Sequence, residues 1–343
     1  MSRMIFNEAV DLLRSTDLPA IGRAAAQKTQ QIHPGNVRTY NVERNINYTN
    51  ICISGCKFCA FHRSETDADA YVIDEQTLLG KIEETVQLGG KQILLQGGLH
   101  PSLPFDWYEK MLRTMKQHYP DVNIHGFSPT EIVYFADRFA MSERDVLLRL
   151  RSAGLGSLPG GGAEILVDRV RHIVSPKKAT ADRWLNVCRI WFQLGGKGSA
   201  TMMLGHLETL EERVEHLQRI RDLQDEILAA GQNGFTAFIP WTFQPGNTQL
   251  GGKGCGCPKT GSWEYLQFLA VSRLFLDNVP TIQSSWVTQG LTIGTLGLSF
   301  GANDLGSIMI EENVVAAAGT VFRSTEKAFC ESIRSAGYEP KRR

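Results

Sequence analysis

Three cysteines fall within eight residues: Cys52, Cys56 and Cys59, in the run Cys-Ile-Ser-Gly-Cys-Lys-Phe-Cys. Thiolates this close together can hold one metal centre and leave a coordination position open. Iron–sulfur clusters take four cysteine ligands as a rule, so a three-cysteine site leaves one iron available to bind something else. That open position suits an enzyme better than an electron carrier. Two blander readings compete. The spacing i, i+4, i+7 would place the cysteines on one face of a helix, where buried thiols act as small hydrophobes. Against this, Asn45-Ile-Asn-Tyr-Thr-Asn-Ile alternates like a strand, and Gly55 disfavours a helix interior. His62, three residues after Cys59, would complete a Cys3His zinc site. A disulfide framework fits poorly, because the seven cysteines are an odd number in a long chain without a secretory signal.

Other residues could form the bed of a small molecule on the open iron. Phe58, between two of the cysteines, offers an aromatic ring, or else core packing. Gly97-Gly98 permits close backbone approach to a charged group, or a plain tight turn. Glu164 follows three glycines and Arg183 opens a helix; together they could hold an amino group and a carboxylate, or serve as salt-bridge partners. Glu208 closes the run Gly205-His-Leu-Glu, where an acid also suits a helix N-terminus.

The elements that must position these groups alternate in period. Helical spacing covers residues 5–30, with a break at Pro19, then Glu75–Leu88, Pro104–Tyr119, Ser142–Ser152, Ala181–Leu194, Leu210–Ala230 and Trp263–Asp277. Short apolar strands fall between them at 92–96, 122–127, 155–158, 199–204, 235–240 and 281–285, and Leu296-Gly-Leu-Ser-Phe is a further strand candidate. This alternation predicts parallel βαβ units. At least seven of them favour an α/β (β/α)8 TIM-type barrel over an open sheet. Such barrels place their sites where strands end and loops begin. The cysteine loop, Gly97-Gly98, Ser128, Gly160-Gly-Gly, Gln244 and Ser284-Ser285 all fall at such points. The segment Gly251-Gly-Lys-Gly-Cys-Gly-Cys-Pro reads as a loop insertion, since Cys255 and Cys257 alone supply too few ligands for a second metal.

Composition narrows the function class. Of 343 residues, 42% are hydrophobic and 21% charged, as in an ordinary globular protein. Lys plus Arg equals Asp plus Glu at 36 each, which gives no basic surplus for nucleic acid or an anionic membrane. No apolar run approaches the ~20 residues of a membrane span. The cytoplasm is the expected compartment, where free and metal-bound thiols survive.

With these residues assembled, Cys52-x3-Cys56-x2-Cys59 resembles the signature of the radical S-adenosylmethionine (SAM) enzymes. Asn45–Asn50, Gln96–Pro101, His125–Glu131, Pro159–Glu164 and Ala200–His206 resemble the futalosine-pathway and deazaflavin-synthase group of that superfamily. Phe238–Thr248, Gln283–Thr288, Gly301–Ser307 and Glu311–Asn313 are similar to its ring-closing member. A sister enzyme, which adds the adenosyl radical to an enolpyruvyl benzoate, carries an Asp-Asp-Leu-Asp-Gly-Thr-like segment near 303–308 that this chain lacks. One departure is Trp191-Phe192, where the resemblance leads us to expect Ala-His.

The resemblance implies a 4Fe-4S cluster on Cys52, Cys56 and Cys59, with SAM on the open iron. It implies cofactor contacts from Phe58, Gly97, Gly98, Ser128, Glu164, Arg183 and Glu208. The implied substrate is dehypoxanthine futalosine. Its ribose C4′ hydrogen is taken by a 5′-deoxyadenosyl radical before ring closure onto the benzoate, in menaquinone biosynthesis. Gln283, Ser284, Asn303 and Asp304 are the expected substrate contacts, and His100, Glu131 and His206 the candidate proton acceptors. A flavodoxin or ferredoxin would supply the electron. The expected organisation is a helical extension over 1–40, the barrel over 41–320 and a helical tail over 321–343.

Overall fold

A computed structural model describes residues 3–252, 256–257 and 259–343. Two helices come first, α1 (Phe6–Arg14) and α2 (Leu18–Ile32), followed by strands β1 (Val37–Asn41) and β2 (Glu43–Asn47). Next are α3 (Glu75–Gln87), β3 (Gln92–Gln96), α4 (Phe105–His118), β4 (Asn123–Gly126), α5 (Pro129–Arg138), α6 (Glu143–Ala153), α7 (Asp168–Val174) and α8 (Ala181–Gln193). The second half contains β5 (Gly198–Leu204), α9 (Leu210–Ala229), β6 (Phe235–Thr242), α10 (Ser262–Phe275), β7 (Thr281–Ile282) and β8 (Asp304–Ser307). Short helices surround β8, and a C-terminal helix (Glu326–Ser335) leads into β9 (Glu339–Arg342).

Helix starts follow local chemistry. Asp74, Ser128, Ser142, Thr180 and Thr209 each accept a backbone N–H from the first turn of the helix they precede. Such caps are each worth about 1 kcal/mol. The break between α1 and α2 falls at Ser15–Asp17, and Pro19 sits in the first turn of α2, where its missing N–H costs nothing.

The strands form three three-stranded parallel sheets, β8-β1-β9, β2-β3-β4 and β5-β6-β7, rather than one uninterrupted eight-stranded barrel. The expected fourth strand shrinks to isolated parallel bridges, His125–Ser157 and Leu158–Gly198, and a third bridge, Gln283–Asp304, links β7 to β8. The reason is local. Residues 155–158 run directly into the glycine-rich turn at Pro159–Gly162, too short a span for a regular ladder. Leu296–Phe300, expected as a strand, is instead the end of a helix and a 3-10 turn at Gly297–Ser299. The strand in that region is β8, a few residues later, after Gly301 turns the chain at φ +100. The tail likewise holds β9 as well as a helix; β9 pairs along β1 from Val37–Glu339 to Tyr40–Arg342.

Helices pack against the strands around a shared apolar core. One apolar cluster runs from Ala9, Val10 and Leu13 through the strand residues Ile46, Ile93, Leu95 and Phe238 to Phe329 and Ile333. The extension shares this core. Gly22 of α2 lies so close to Phe300 that a Cβ there would be 2.6 Å from the ring. Among the described residues, no helix is long and apolar enough to cross a membrane.

Candidate active site

A cavity of about 720 Å³ is lined by residues of all three sheets and the loops that follow their strands. Cys52, Cys56, Phe58 and Cys59 line it at the strands' C-terminal ends, the mouth. Glu43, Gln92, Asn123 and Lys197 line it at the starts of β2, β3, β4 and β5, the floor, where Arg343, just past β9, also lines it.

The cysteine loop is held by backbone rather than by side-chain packing. Cys52 N–H donates to the Arg63 carbonyl (2.9 Å), Ile53 N–H to that of Leu99 (3.1 Å) and Lys57 N–H to that of Val174 (2.8 Å). Gly98 faces the loop with no space to spare: a Cβ there would stand 2.0 Å from the Ile51 carbonyl oxygen. Gly97 is as tight, against the Tyr48 ring at 2.4 Å. The glycine pair is thus required by the packing of the loop, the plainer of the two readings, and it also lines the cavity.

The thiols differ in environment. Burial raises the Cys52 thiol and pushes that of Cys56 up to about 12. Burial acts the same way on Cys59, but hydrogen bonds from His62 and the backbone outweigh it and hold the thiol below its ordinary value. Leu99 N–H donates to Cys52 Sγ (3.3 Å), and Ser54 Oγ is 2.9 Å from Cys56 Sγ. Among the described residues, no three His, Cys, Asp or Glu side chains converge on a point that one metal ion could occupy. A cube of iron and sulfur is a different target, offering a separate iron to each thiolate. Three thiols on one cavity wall, already receiving hydrogen bonds at two sulfurs, suit such a group.

Beside the cysteines sits Glu164, only 5% exposed and held at φ +37 after the glycine turn. Its Oε1 accepts from Lys178 Nζ at 2.9 Å, and its buried Oε2 has no hydrogen-bond partner. An unpaired buried carboxylate oxygen is a costly arrangement, and a cationic donor that reached it would relieve it. Burial pushes the Lys178 ammonium down, but Cys56 and Glu164 outweigh that and keep it charged. Its Nζ lies 5.1 Å from the centre of the Phe58 ring. The turn itself is held by Arg171, almost fully buried, which donates to the carbonyls of Gly162, Ala163, Ile165 and Ala179.

The structure gathers only some of the sequence candidates. Cys52, Cys56, Cys59, Phe58, Gly97, Gly98, Ser128, Glu131, Glu164, Gln283 and Ser284 all line the cavity. Arg183 does not; it lies on the outer helical layer, paired with Asp137 (2.8 Å) and Glu143 (3.0 Å). Glu208 is buried behind the wall, where it accepts from the backbone of Gly205 and His206 and from Arg213, shaping the loop after β5. His206 also lies behind the wall, with Nε2 on the Met203 carbonyl (3.1 Å). His100 organises its own loop, accepting from Ser102 and Leu103 N–H. Asn303 accepts from Arg273 and Ile282 N–H. Asp304 accepts from Gly306 N–H and Arg343. None of these six lines the cavity; each is engaged by backbone groups or by neighbouring side chains instead. Glu131 faces both ways: it completes the capping box of α5 and accepts from Tyr48 Oη (2.7 Å). Burial pushes its carboxyl up.

Sequence reasoning missed Lys178, His125 and Arg343, all on the cavity wall. His125 was visible only as part of a motif; its ring nitrogens meet Ser157 Oγ (2.7 Å) and Ser199 Oγ (3.4 Å). Burial, with Arg343 nearby, pushes it down to about 3, so the ring is neutral at pH 7. Cys257 is buried, its Sγ 3.6 Å from the His206 carbonyl, while Cys255 lies outside the described residues. Phe192 fills the position where a histidine was expected, packed edge-on against Phe235 at 5.0 Å.

A three-cysteine loop at the mouth of a parallel α/β wall is the arrangement of a radical SAM enzyme, and residues 46–220 match the Radical SAM superfamily. Residues 232–343 match the CofH/MqnC C-terminal region, and the chain belongs to the CofH/MqnC family of radical SAM enzymes. It is 45% identical over 341 residues to cyclic dehypoxanthine futalosine synthase of Halalkalibacterium halodurans, covering 99% of this chain and 90% of that one. It is 42% identical over 344 residues to the enzyme of that name from Streptomyces coelicolor, covering 99% and 84%. Among solved structures, methylornithine synthase (PylB) superposes with a TM-score of 0.73 at 19% identity, over 99% of this chain and 95% of that one, a likeness of fold.

Proposed function

We propose that the protein is a radical SAM cyclase of menaquinone biosynthesis that converts dehypoxanthine futalosine to its cyclic form. The observation that carries this reading is the 45% identity, across 99% of the chain, to a cyclic dehypoxanthine futalosine synthase. The cavity supports it, with thiols at one end and polar groups along its length.

In this reading Cys52, Cys56 and Cys59 hold a 4Fe-4S cluster. Glu164 would receive the methionine amino group of SAM, and Lys178, not Arg183, would supply the cation for its carboxylate. Phe58, Gly97, Gly98 and Ser128 border the nucleoside. When bound, the cluster and SAM would supply a 5′-deoxyadenosyl radical to take the ribose C4′ hydrogen; the ribose carbon would add to the benzoate ring, and loss of one proton and one electron, the electron passing to the oxidised cluster, would restore the ring. The chain's own part is aim and exclusion. Gln283 and Ser284 offer hydrogen bonds to the substrate hydroxyls from the wall opposite. Of the candidate proton acceptors, Glu131 is the one on the cavity wall, so the ring proton is assigned to it. The neutral His125 ring, between two hydroxyls, holds the middle of the cavity without adding charge.

We further propose that the three sheets act together as one barrel, supported by the three parallel bridges between them. Residues 41–320 then form most of the catalytic body, completed by β1 at the end of the helical brace over 1–40 and by β9 in the closing tail over 321–343. A flavodoxin or ferredoxin in the cytoplasm would deliver the electron. The test is anaerobic turnover of dehypoxanthine futalosine with the reconstituted enzyme and mass analysis of both nucleosides. The cyclic product and free 5′-deoxyadenosine in equal amounts are expected. A parallel turnover with an enolpyruvyl benzoate that gives an adenosine-containing product would point to the sister reaction. No 5′-deoxyadenosine at all would overturn the reading.

A further inference from the structure

The cavity floor holds a cation that none of the preceding roles uses. Arg343 follows β9 directly, and the pairing of β9 with β1 fixes its backbone, with Arg343 N–H on the Tyr40 carbonyl at 3.0 Å. Its neighbour Arg342 is tied outward, to Glu326 and the Gly89 carbonyl. The Arg343 side chain turns instead to the cavity, which it lines together with Gln92, Asn123 and Lys197. Its Nε donates to Asp304 Oδ2 at 2.8 Å. Its Nη1 and Nη2 have no hydrogen-bond partner among the described residues. The side chain keeps 41% of its surface open although its carboxylate partner is fully buried. A guanidinium oriented through Nε, with both terminal nitrogens free, presents the two-pronged fork that pairs with a carboxylate.

The charges around it favour an anion. Asp304 is already engaged by Thr39, Gly306 N–H and Arg343. The other carboxyl, Glu43, is pushed toward its neutral form by burial and receives Gln92 (2.6 Å) and Asn41 (3.1 Å). Lys197 also reaches this end of the cavity. From Glu43 at the floor to Asn47 at the mouth, β2 rises about 13 Å. A ribose placed under the cysteine loop would therefore leave an attached aromatic ring pointing down the cavity toward Arg343.

We infer that Arg343 binds the aromatic carboxylate of the substrate at the cavity floor, fixing how far the ribose stands from the cofactor. This rests on the cyclase reading given above. Asp304 then acts as a positioning residue, holding the guanidinium by Nε.

The test is equilibrium binding to the reconstituted protein without turnover, read by tryptophan fluorescence. Wild type, Arg343→Gln and Arg343→Lys are compared, with circular dichroism to verify folding. The ligands are dehypoxanthine futalosine and its carboxamide. Wild type is expected to bind the acid at least tenfold more tightly than the amide. Arg343→Gln should erase that preference by weakening the acid alone, and Arg343→Lys should restore part of it. An Arg343→Gln protein that keeps the preference, or that loses both ligands equally, overturns the inference. If wild type neither binds nor turns over the nucleoside, the cyclase reading is what fails. Benzoate against benzamide then decides the floor site alone: benzoate held by wild type and lost in Arg343→Gln upholds it, and equal binding of the two overturns it.

Discussion

At the scale of the residue, the cysteine loop and its buried neighbours set the chemistry of the cavity mouth. Cys56 is the most deeply buried of the three thiols, and its proton must leave before it can ligate iron. Cys56→Ala should lose the visible absorbance of the reconstituted cluster and all cleavage of SAM, with the apo fold unchanged by circular dichroism. Glu164→Gln exchanges an ionic acceptor for a neutral one. Charge-assisted bonds are worth about 1.5–3 kcal/mol, so SAM affinity should fall ten- to a hundredfold, as measured by equilibrium dialysis. An unchanged affinity would remove Glu164 from the cofactor site. His216, buried on α9, accepts the Leu166 N–H through Nδ1 (2.9 Å), which requires a neutral ring. Burial, aided by Arg171 and Arg219, pushes it down to about 3, against about 6.5 in an unfolded chain. The unfolded ring therefore takes up a proton first. This contribution is complete above about pH 6.5 and is lost as pH falls toward 3. Melting temperatures should drop between pH 6.5 and 4.5, and less steeply in His216→Gln.

At the scale of the element, the turns after strands decide what faces the cavity. Gly98→Ala would force a methyl into the Ile51 carbonyl. Iron content after reconstitution should fall at least severalfold while the helices persist, and full loading would show that the loop tolerates displacement. The same elements show how far the sequence could be read. Hydrophobic period placed the long helices, and the one expected to open at Ser142 does so, with Ser142 Oγ accepting from Asp145 N–H. The central strands were legible for the same reason. β1 and β9 were missed because Val37-Arg-Thr-Tyr-Asn and Glu339-Pro-Lys-Arg carry little apolar pattern; their strand state comes from pairing with distant partners. At the site, the spacing of Cys52, Cys56 and Cys59 left core packing, zinc and iron–sulfur open, and the structure brings all three to the cavity wall. Arg183 and Glu208 were assigned from chain position, which cannot tell a side chain facing the cavity from one facing a neighbouring helix. Lys178 lay in a loop, Ser-Pro-Lys-Lys, that looks like ordinary solvated charge. Only folding brings it under Phe58.

At the scale of the whole molecule, the extension and the strands share one apolar cluster, from Ala9 to Ile333. Unfolding should therefore be a single transition. The six tryptophans all lie beyond residue 100, so their fluorescence reports the body, whereas far-ultraviolet circular dichroism also counts α1 and α2. Coincident curves are expected; an earlier dichroism step would mean that the extension melts alone. The placement of β1 has a different kind of consequence. It is the first strand of the chain, yet its hydrogen-bonding edges are filled by β8 at Asp304–Ser307 and β9 at Glu339–Arg342. On the ribosome it must wait, unpaired, while about 260 further residues are made. Polar and charged side chains along Val37–Asn41 suit that wait, since an apolar strand left open so long would invite pairing with another nascent chain. The strand synthesised first is the one completed last.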